Sequence, residues 1–163
     1  MEIGFGAGLT FLNLQEEYEE IYGLDLTANV GIITELFHKR HIETHLQNGS
    51  VLEMPYANDY FDSVLLISIL EHLHPEEQET AFREIRRVLK PGGQVVYGVP
   101  IERPLMVFAF HMLGYNIRDH HFSTEKDVIG AAQKIEKLKK TVDLKGLGGL
   151  SGPIYQVCHL IKS

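Results

Sequence analysis

Glu2-Ile3-Gly4-Phe5-Gly6-Ala7-Gly8 stands at the start of the chain: a stub of strand over residues 1–3 runs straight into three alternating glycines. Glycine at such a junction lets the backbone turn sharply and approach a ligand that any side chain would push away. A short helix expected over residues 9–20 would present unpaired amides and the positive end of its dipole to an anion. Asp25 follows at the end of the next strand, Ile21–Asp25, nineteen residues past Gly6. A carboxylate so placed accepts ribose hydroxyls, so loop and acid together point to an adenosine-type ligand across the ends of adjacent strands. A dinucleotide fingerprint, G-x-G-x-x-G, would put its third glycine at position 9, where this chain has Leu9. The third glycine comes one residue early, at Gly8, which disfavours a pyrophosphate and with it a nicotinamide-linked oxidoreductase.

Outward from this loop, strand and helix patterns alternate. Val30, Ile33, Leu36 and Phe37 recur at helical spacing behind Thr27, a residue suited to cap them. Residues 43–47 read as a short strand. Residues 63–69 are apolar apart from two serines and rich in branched side chains, as in a strand buried on both faces of a parallel sheet. Pro75, Glu76 and Glu77 open a helix whose buried stripe is Phe82, Ile85, Val88 and Leu89. Pro91-Gly92-Gly93 ends it, and residues 94–99 form the next strand. Beyond Pro100 the rhythm changes: residues 105–113 read as an apolar helix, and Ser123 or Thr124 caps another to about Ile135, with Asp127 as the capping-box acid. Residues 139–144 and 154–161 read as strands around a glycine-rich turn. The predicted fold class is α/β: a doubly wound, mostly parallel sheet with right-handed crossovers, an antiparallel C-terminal strand pair, and a first strand truncated at the N-terminus.

With 163 residues, 44% apolar and 23% charged, the chain suits one globular domain over residues 1–163 that needs no disulfides to hold its core. Fifteen basic residues stand against 22 acidic ones, a net charge of −7, which is the wrong sign for a broad grip on nucleic acid. The local cluster Lys134, Lys137, Lys139 and Lys140 reads as a solvated helix end and strand start. No apolar run reaches the roughly 18 residues of a membrane helix, and the start lacks a basic-then-apolar leader pattern. The single cysteine, Cys158, excludes an internal disulfide, fits a reducing, cytoplasmic setting, and reads as a small core residue.

Taken in order, four segments resemble class I S-adenosylmethionine (SAM)-dependent methyltransferases of the type 11 kind. Glu2 to Gly8 is similar to the family's E-x-G-x-G-x-G loop, and Asp25 stands where its ribose-binding acid stands. Asn48-Gly49-Ser50-Val51-Leu52-Glu53-Met54-Pro55-Tyr56, followed by Tyr60-Phe61-Asp62-Ser63-Val64, is similar to G-D-A-x-x-L-P-F and F-D-x-V. Leu70-Glu71-His72-Leu73 and Arg87-Val88-Leu89-Lys90-Pro91-Gly92-Gly93 are similar to L-E-H-L and R-V-L-K-P-G-G. The resemblance covers residues 1 to about 100. It implies a Rossmann-like methyltransferase fold with SAM as cofactor, bound by Glu2, Gly4, Gly6, Gly8, Asp25, Leu26, Ser50, Val51, Ile67, Ser68 and His72. In that arrangement the glycine-loop amides hold the methionine carboxylate and Asp25 the ribose. Residues after Gly49 flank the adenine, Ile67 and Ser68 border the methionine portion, and His72 lines the pocket. The sequence departs from the family in two places. Ser50 replaces the usual Asp, and the first strand has only three residues, so the natural domain is expected to begin upstream of Met1.

Methyl transfer is an in-line displacement driven largely by positioning and exclusion of water, so it needs no obligate catalytic side chain. Where an oxygen or carbon acceptor needs a base, His72, His74, His111, His120 and His121 are available; His120 and His121 lie in the segment expected to cap the acceptor. His72-x-His74 has a metal-ligand look, but no third ligand is implied and no metal is expected. Leu105, Met106, Phe108, Phe110 and Met112, within residues 101–122, either shape an apolar, small-molecule acceptor pocket or simply bury a helix on the sheet. The function expected is methyl transfer from SAM to a small molecule. The alternative is a catalytically silent SAM-fold domain that binds or scaffolds.

Overall fold

The computed structural model describes residues 1–101, 112, 121–136, 138–145 and 152–163. The elements in chain order are β1 (Glu2–Ile3), α1 (Phe11–Leu14), β2 (Ile21–Asp25), α2 (Val30–His38), β3 (Thr44–Asn48), β4 (Phe61–Ile67), a 3-10 turn (Leu70–His72), α3 (Pro75–Val88), β5 (Leu89–Pro100), α4 (Glu125–Ile135), β6 (Leu138–Lys145) and β7 (Pro153–Ile161). The strands form one sheet in the order β3-β2-β1-β4-β5-β7-β6. β1 to β5 are mutually parallel, while β7 runs antiparallel to both β5 and β6. This is the α/β class expected, with the reversed strand inserted between β5 and β6.

β1 has two residues, yet it is the centre of the architecture. Ile3 pairs with Leu24 of β2 on one side and Leu66 of β4 on the other. The connections leave β1 in opposite directions, toward β2 and β3 and toward β4 and β5. Such a switch point opens a crevice at the carboxyl ends of the strands. Ile21 and Leu24, three apart on β2, face opposite sides of the sheet and join different cores. Leu24 packs with Val64, Leu66, Phe82, Ile85, Tyr97 and Val128, the cluster that seats α3 and α4; Ile21 packs with Phe5, Phe11 and Phe37, which seats α1 and α2. Cys158 is fully buried in the larger cluster, as expected for a core residue.

Several local expectations shift for identifiable reasons. The first helix is confined to Phe11–Leu14 because Glu16, Glu17, Glu19 and Glu20 follow, and carboxylates at a helix C-terminus oppose its dipole. Asn29, not Thr27, caps α2, its side chain accepting from the Ile32 amide at 3.2 Å. Thr27 belongs instead to the turn that Asp25 organises, donating its amide to Oδ1 at 2.9 Å. Leu36, expected on the buried face of α2, is 44% exposed. β4 ends at Ile67 rather than residue 69 because Ser68 takes a left-handed conformation, φ 54°. α3 starts at Pro75 as expected, with Glu77 accepting the His74 amide at 2.9 Å. It stops at Val88, so Leu89 fills the core from the first position of β5. Thr124 caps α4 with Asp127 reciprocating, as expected. The expected helix over residues 105–113 lies outside the described residues apart from Met112, which is exposed.

Candidate functional site

The glycine loop follows β1 with φ of +72° at Gly4, +51° at Gly6 and +70° at Gly8, values that L side chains rarely adopt. Its fastening explains its shape. Gly4 donates to the Leu24 carbonyl and Gly8 to the Phe5 carbonyl, both at 2.7 Å, and Gly6 donates to Oδ2 of Asp25 at 2.9 Å. The other Asp25 oxygen accepts from Thr27 and Ala28 at 2.9 and 2.8 Å. A carboxylate has about four lone-pair positions, so these three amides leave one, on Oδ2. Asn48 completes the frame by donating to the carbonyls of Asp25 and Ala28 at 3.1 and 3.0 Å.

Between loop and acid lies a cavity of about 420 Å³ at the carboxyl ends of β1 and β2. Of the residues implied for the cofactor, Gly4, Asp25, Leu26, Ser50, Val51 and His72 line it. Leu26 is 71% exposed and presents its side chain without a core to join. Ser50 accepts the Leu52 amide at 3.1 Å, which holds the turn in which it sits. Ile69 and Leu73 also line the wall, and sequence reasoning assigned them no role. The signal was present: both flank the Leu70-Glu71-His72 turn.

Glu2, Gly6, Gly8, Ile67 and Ser68 stand outside the lining. Gly6 adjoins it through Asp25, and Gly8 is packed against Phe11 and Phe37. Ile67 is 38% exposed, and the Ser68 hydroxyl bonds that of Tyr155 at 3.0 Å. Glu2 is buried and takes a hydrogen bond from the Thr10 hydroxyl, joining the two ends of the loop. Burial pushes its carboxyl from 4.5 up to about 7, against the pull of that hydrogen bond. The protonated form is therefore favoured by folding. This stabilisation is complete below pH 4.5 and is lost as pH rises through 7. Glu2→Gln keeps an acceptor for Thr10 and is expected to match the parent protein near pH 4.5. At pH 8 it should be more stable by roughly 2–3 kcal/mol in urea unfolding. An equal difference at both pH values would refute the assignment.

On the far wall, the 3-10 turn carries Glu71 and His72. The Glu71 carbonyl accepts the amides of Phe122 and Ser123 at 2.9 and 3.2 Å, and the Ser123 hydroxyl donates to the Leu73 carbonyl at 2.6 Å. This strapping brings His121 beside His72, ring centroids 5.2 Å apart. His74 turns away and stacks on Phe122 at 4.2 Å. Glu71 is 2% exposed, and burial pushes its carboxyl up, opposed by its own backbone amide, then by His72 and His121. From the sequence alone Glu71 has no assigned role; an acid set among Leu70, His72 and Leu73 was the available signal. His120 and His111 lie outside the described residues.

Residues 1–97 match the family model described as a methyltransferase domain. A demethylmenaquinone methyltransferase of Bacillus velezensis is 39% identical over 79 residues, 47% of this chain and 33% of that protein. The chain spans between a third and a half of the length of the curated relatives it matches first. Among solved structures, the PH0226 protein of Pyrococcus horikoshii superposes with a TM-score of 0.80 at 16% identity, covering 99% of this chain and 80% of that one. The N-methyltransferase NodS of Bradyrhizobium japonicum, solved with S-adenosyl-L-homocysteine, superposes with a TM-score of 0.74 at 18% identity, covering 99% and 76%. At these identities the superpositions speak for the fold.

Proposed function

The chain belongs to the methyltransferase domain family, whose cofactor is SAM, and from that premise we propose that it transfers the SAM methyl group to a small-molecule acceptor. One observation carries the reading: a 420 Å³ cavity at the sheet's switch point, walled by a glycine loop and an acid joined at 2.9 Å. That volume is within the ~300–1,000 Å³ range of small-molecule sites.

The residues fit the cofactor in particular ways. The remaining lone pair of Asp25 accepts a ribose hydroxyl, while the bonds it already makes keep the loop open at the right width. Gly4 lets the loop close against Ile69 of the cavity wall, since a Cβ there would collide with that side chain, and its bare backbone is the surface offered to the methionine end. Leu26, Ser50 and Val51 flank the adenine, with Ser50 a weaker partner than the usual acid because its hydroxyl oxygen already serves Leu52. Glu2, Gly6 and Gly8 act one step back, as the loop's fastening, and Ile67 and Ser68 as the edge of the methionine side.

SAM supplies a methyl group on a cationic sulfur. The chain's part is to align an acceptor behind that methyl, exclude water and leave the sulfur a neutral thioether once the carbon–sulfur bond breaks. The acceptor side is the wall carrying His72 and His121. An acceptor with an apolar body is supported by Ile69 and Leu73 on that wall, and by a relative named for demethylmenaquinone. No helix among the described residues is long and apolar enough to cross a membrane. The net charge of −7 and the unpaired, buried Cys158 support a cytoplasmic enzyme that leaves nucleic acid alone.

Calorimetry with SAM and NAD in parallel, followed by transfer of labelled methyl to a panel of quinols and phenols, tests the reading. SAM binding with label transfer is the expected result. SAM binding without transfer to any acceptor would favour the silent domain, and binding of NAD alone would overturn both.

A further inference from the structure

Glu71, His72 and His121 place a carboxylate oxygen and two imidazole nitrogens within 4.8 Å of one another beside the cofactor cavity. We propose that these three side chains form a binding site for a divalent cation of the zinc class. The donor set selects the ion. Two imidazoles and a carboxylate suit zinc and its neighbours rather than magnesium or calcium, which prefer oxygen alone. Three protein ligands also leave a tetrahedral ion one position for an outside molecule, the pattern of catalytic rather than structural sites.

Glu71 also has an unmet need at one oxygen. Its side chain is 98% buried, and Oε2 has no hydrogen-bond partner among the described residues. Leaving a buried carboxylate oxygen unpaired costs free energy that a cation would recover. The site is preorganised as well. His121 is brought to the site by main-chain bonds from Phe122 and Ser123 to Glu71 and by the Ser123 hydroxyl on Leu73, none of which involves an ion. At metal–nitrogen distances of ~2.0–2.1 Å, ligand atoms lie roughly 3.4 Å apart. The imidazoles therefore need only draw in by about an ångström, with buried Glu71 as the fixed point. The pair suggested by spacing, His72-x-His74, is not the site, because His74 is stacked on Phe122.

His72 also lines the cofactor cavity, so the ion would face the acceptor. An acceptor hydroxyl in the open position would be acidified and held for attack, a consequence that rests on the methyl-transfer reading. Binding of the ion itself does not.

The test uses the full chain, freed of metal by a chelator and titrated with Co²⁺, then with Zn²⁺ in competition. Expected are one cobalt per chain, visible absorption of a four- or five-coordinate site, and displacement by zinc. His121→Ala, a half-buried position outside the core, should weaken cobalt binding at least ~100-fold and abolish the absorption band while the unfolding midpoint without metal stays put. Glu71→Gln should lose the band too. Absence of a stoichiometric site, or a band undiminished in His121→Ala, would overturn the proposal. Calorimetry with SAM on the same metal-free protein separates the two readings: SAM binding with no cobalt site sinks only the ion, and a cobalt site without SAM binding sinks only the cofactor.

Discussion

Asp25→Ala is expected to weaken SAM binding at least ~100-fold, about 2.7 kcal/mol, while the protein remains folded. A ribose hydrogen bond to a carboxylate alone would contribute roughly 1.5–3 kcal/mol. The structure adds to that loss, because the same carboxylate accepts from Gly6 at 2.9 Å and from Thr27 and Ala28 on its other oxygen. Alanine leaves all three amides without their acceptor and lets the loop leave the position that frames the cavity. Asp25→Asn distinguishes the two contributions. Its carbonyl oxygen can still serve Thr27 and Ala28, but its NH2 would face the Gly6 amide, donor against donor. The asparagine variant is therefore expected to lose nearly as much affinity as alanine. Calorimetric titration measures both; near-parental affinity in either would refute the assignment of Asp25.

Gly8→Ala should unfold the domain more readily by roughly 2–5 kcal/mol. Two costs add at this position. A Cβ at φ +70° is strained, by about 1–2 kcal/mol. It would also stand 2.7 Å from Phe37 and 2.8 Å from Phe11. Both rings are buried and packed edge to face at 5.2 Å, so neither can retreat, and such overpacking adds about 1–3 kcal/mol. Gly6→Ala is the control, since a Cβ there meets nothing within 4 Å and only the backbone term at φ +51° remains. Urea unfolding of the two variants should differ by at least 1 kcal/mol in that order. Equal losses would mean that Phe11 and Phe37 do not hold the loop as described.

How far the site could be read from the sequence depended on the distance over which each feature is decided. The loop glycines and Asp25 were legible because backbone reversal at a strand end and a carboxylate at the next strand end are local properties of short segments. Ser50, Val51 and Leu26 were implied by the family resemblance, and they reach the cavity because they lie just past the ends of β3 and β2. The reading of Thr27 as a cap failed because Asp25 ties Thr27 and Ala28 into a turn ahead of the helix, so α2 begins only at Val30 and Asn29 takes the capping position. Leu36 was misassigned because helical spacing marks an apolar face without saying how much of it the sheet covers.

By itself the sequence determined the alternation of strands and helices, the parallel character of the sheet and the loop-and-acid pair, since hydrophobic period and glycine placement act within a few residues. Only the tertiary structure decided that β7 enters between β5 and β6, that Asp25 bonds the loop it faces, and that Glu71, His72 and His121 meet at one wall. Those outcomes join segments far apart in the chain. They are set by which buried polar groups find partners as the core closes, a competition that no short window of residues encodes.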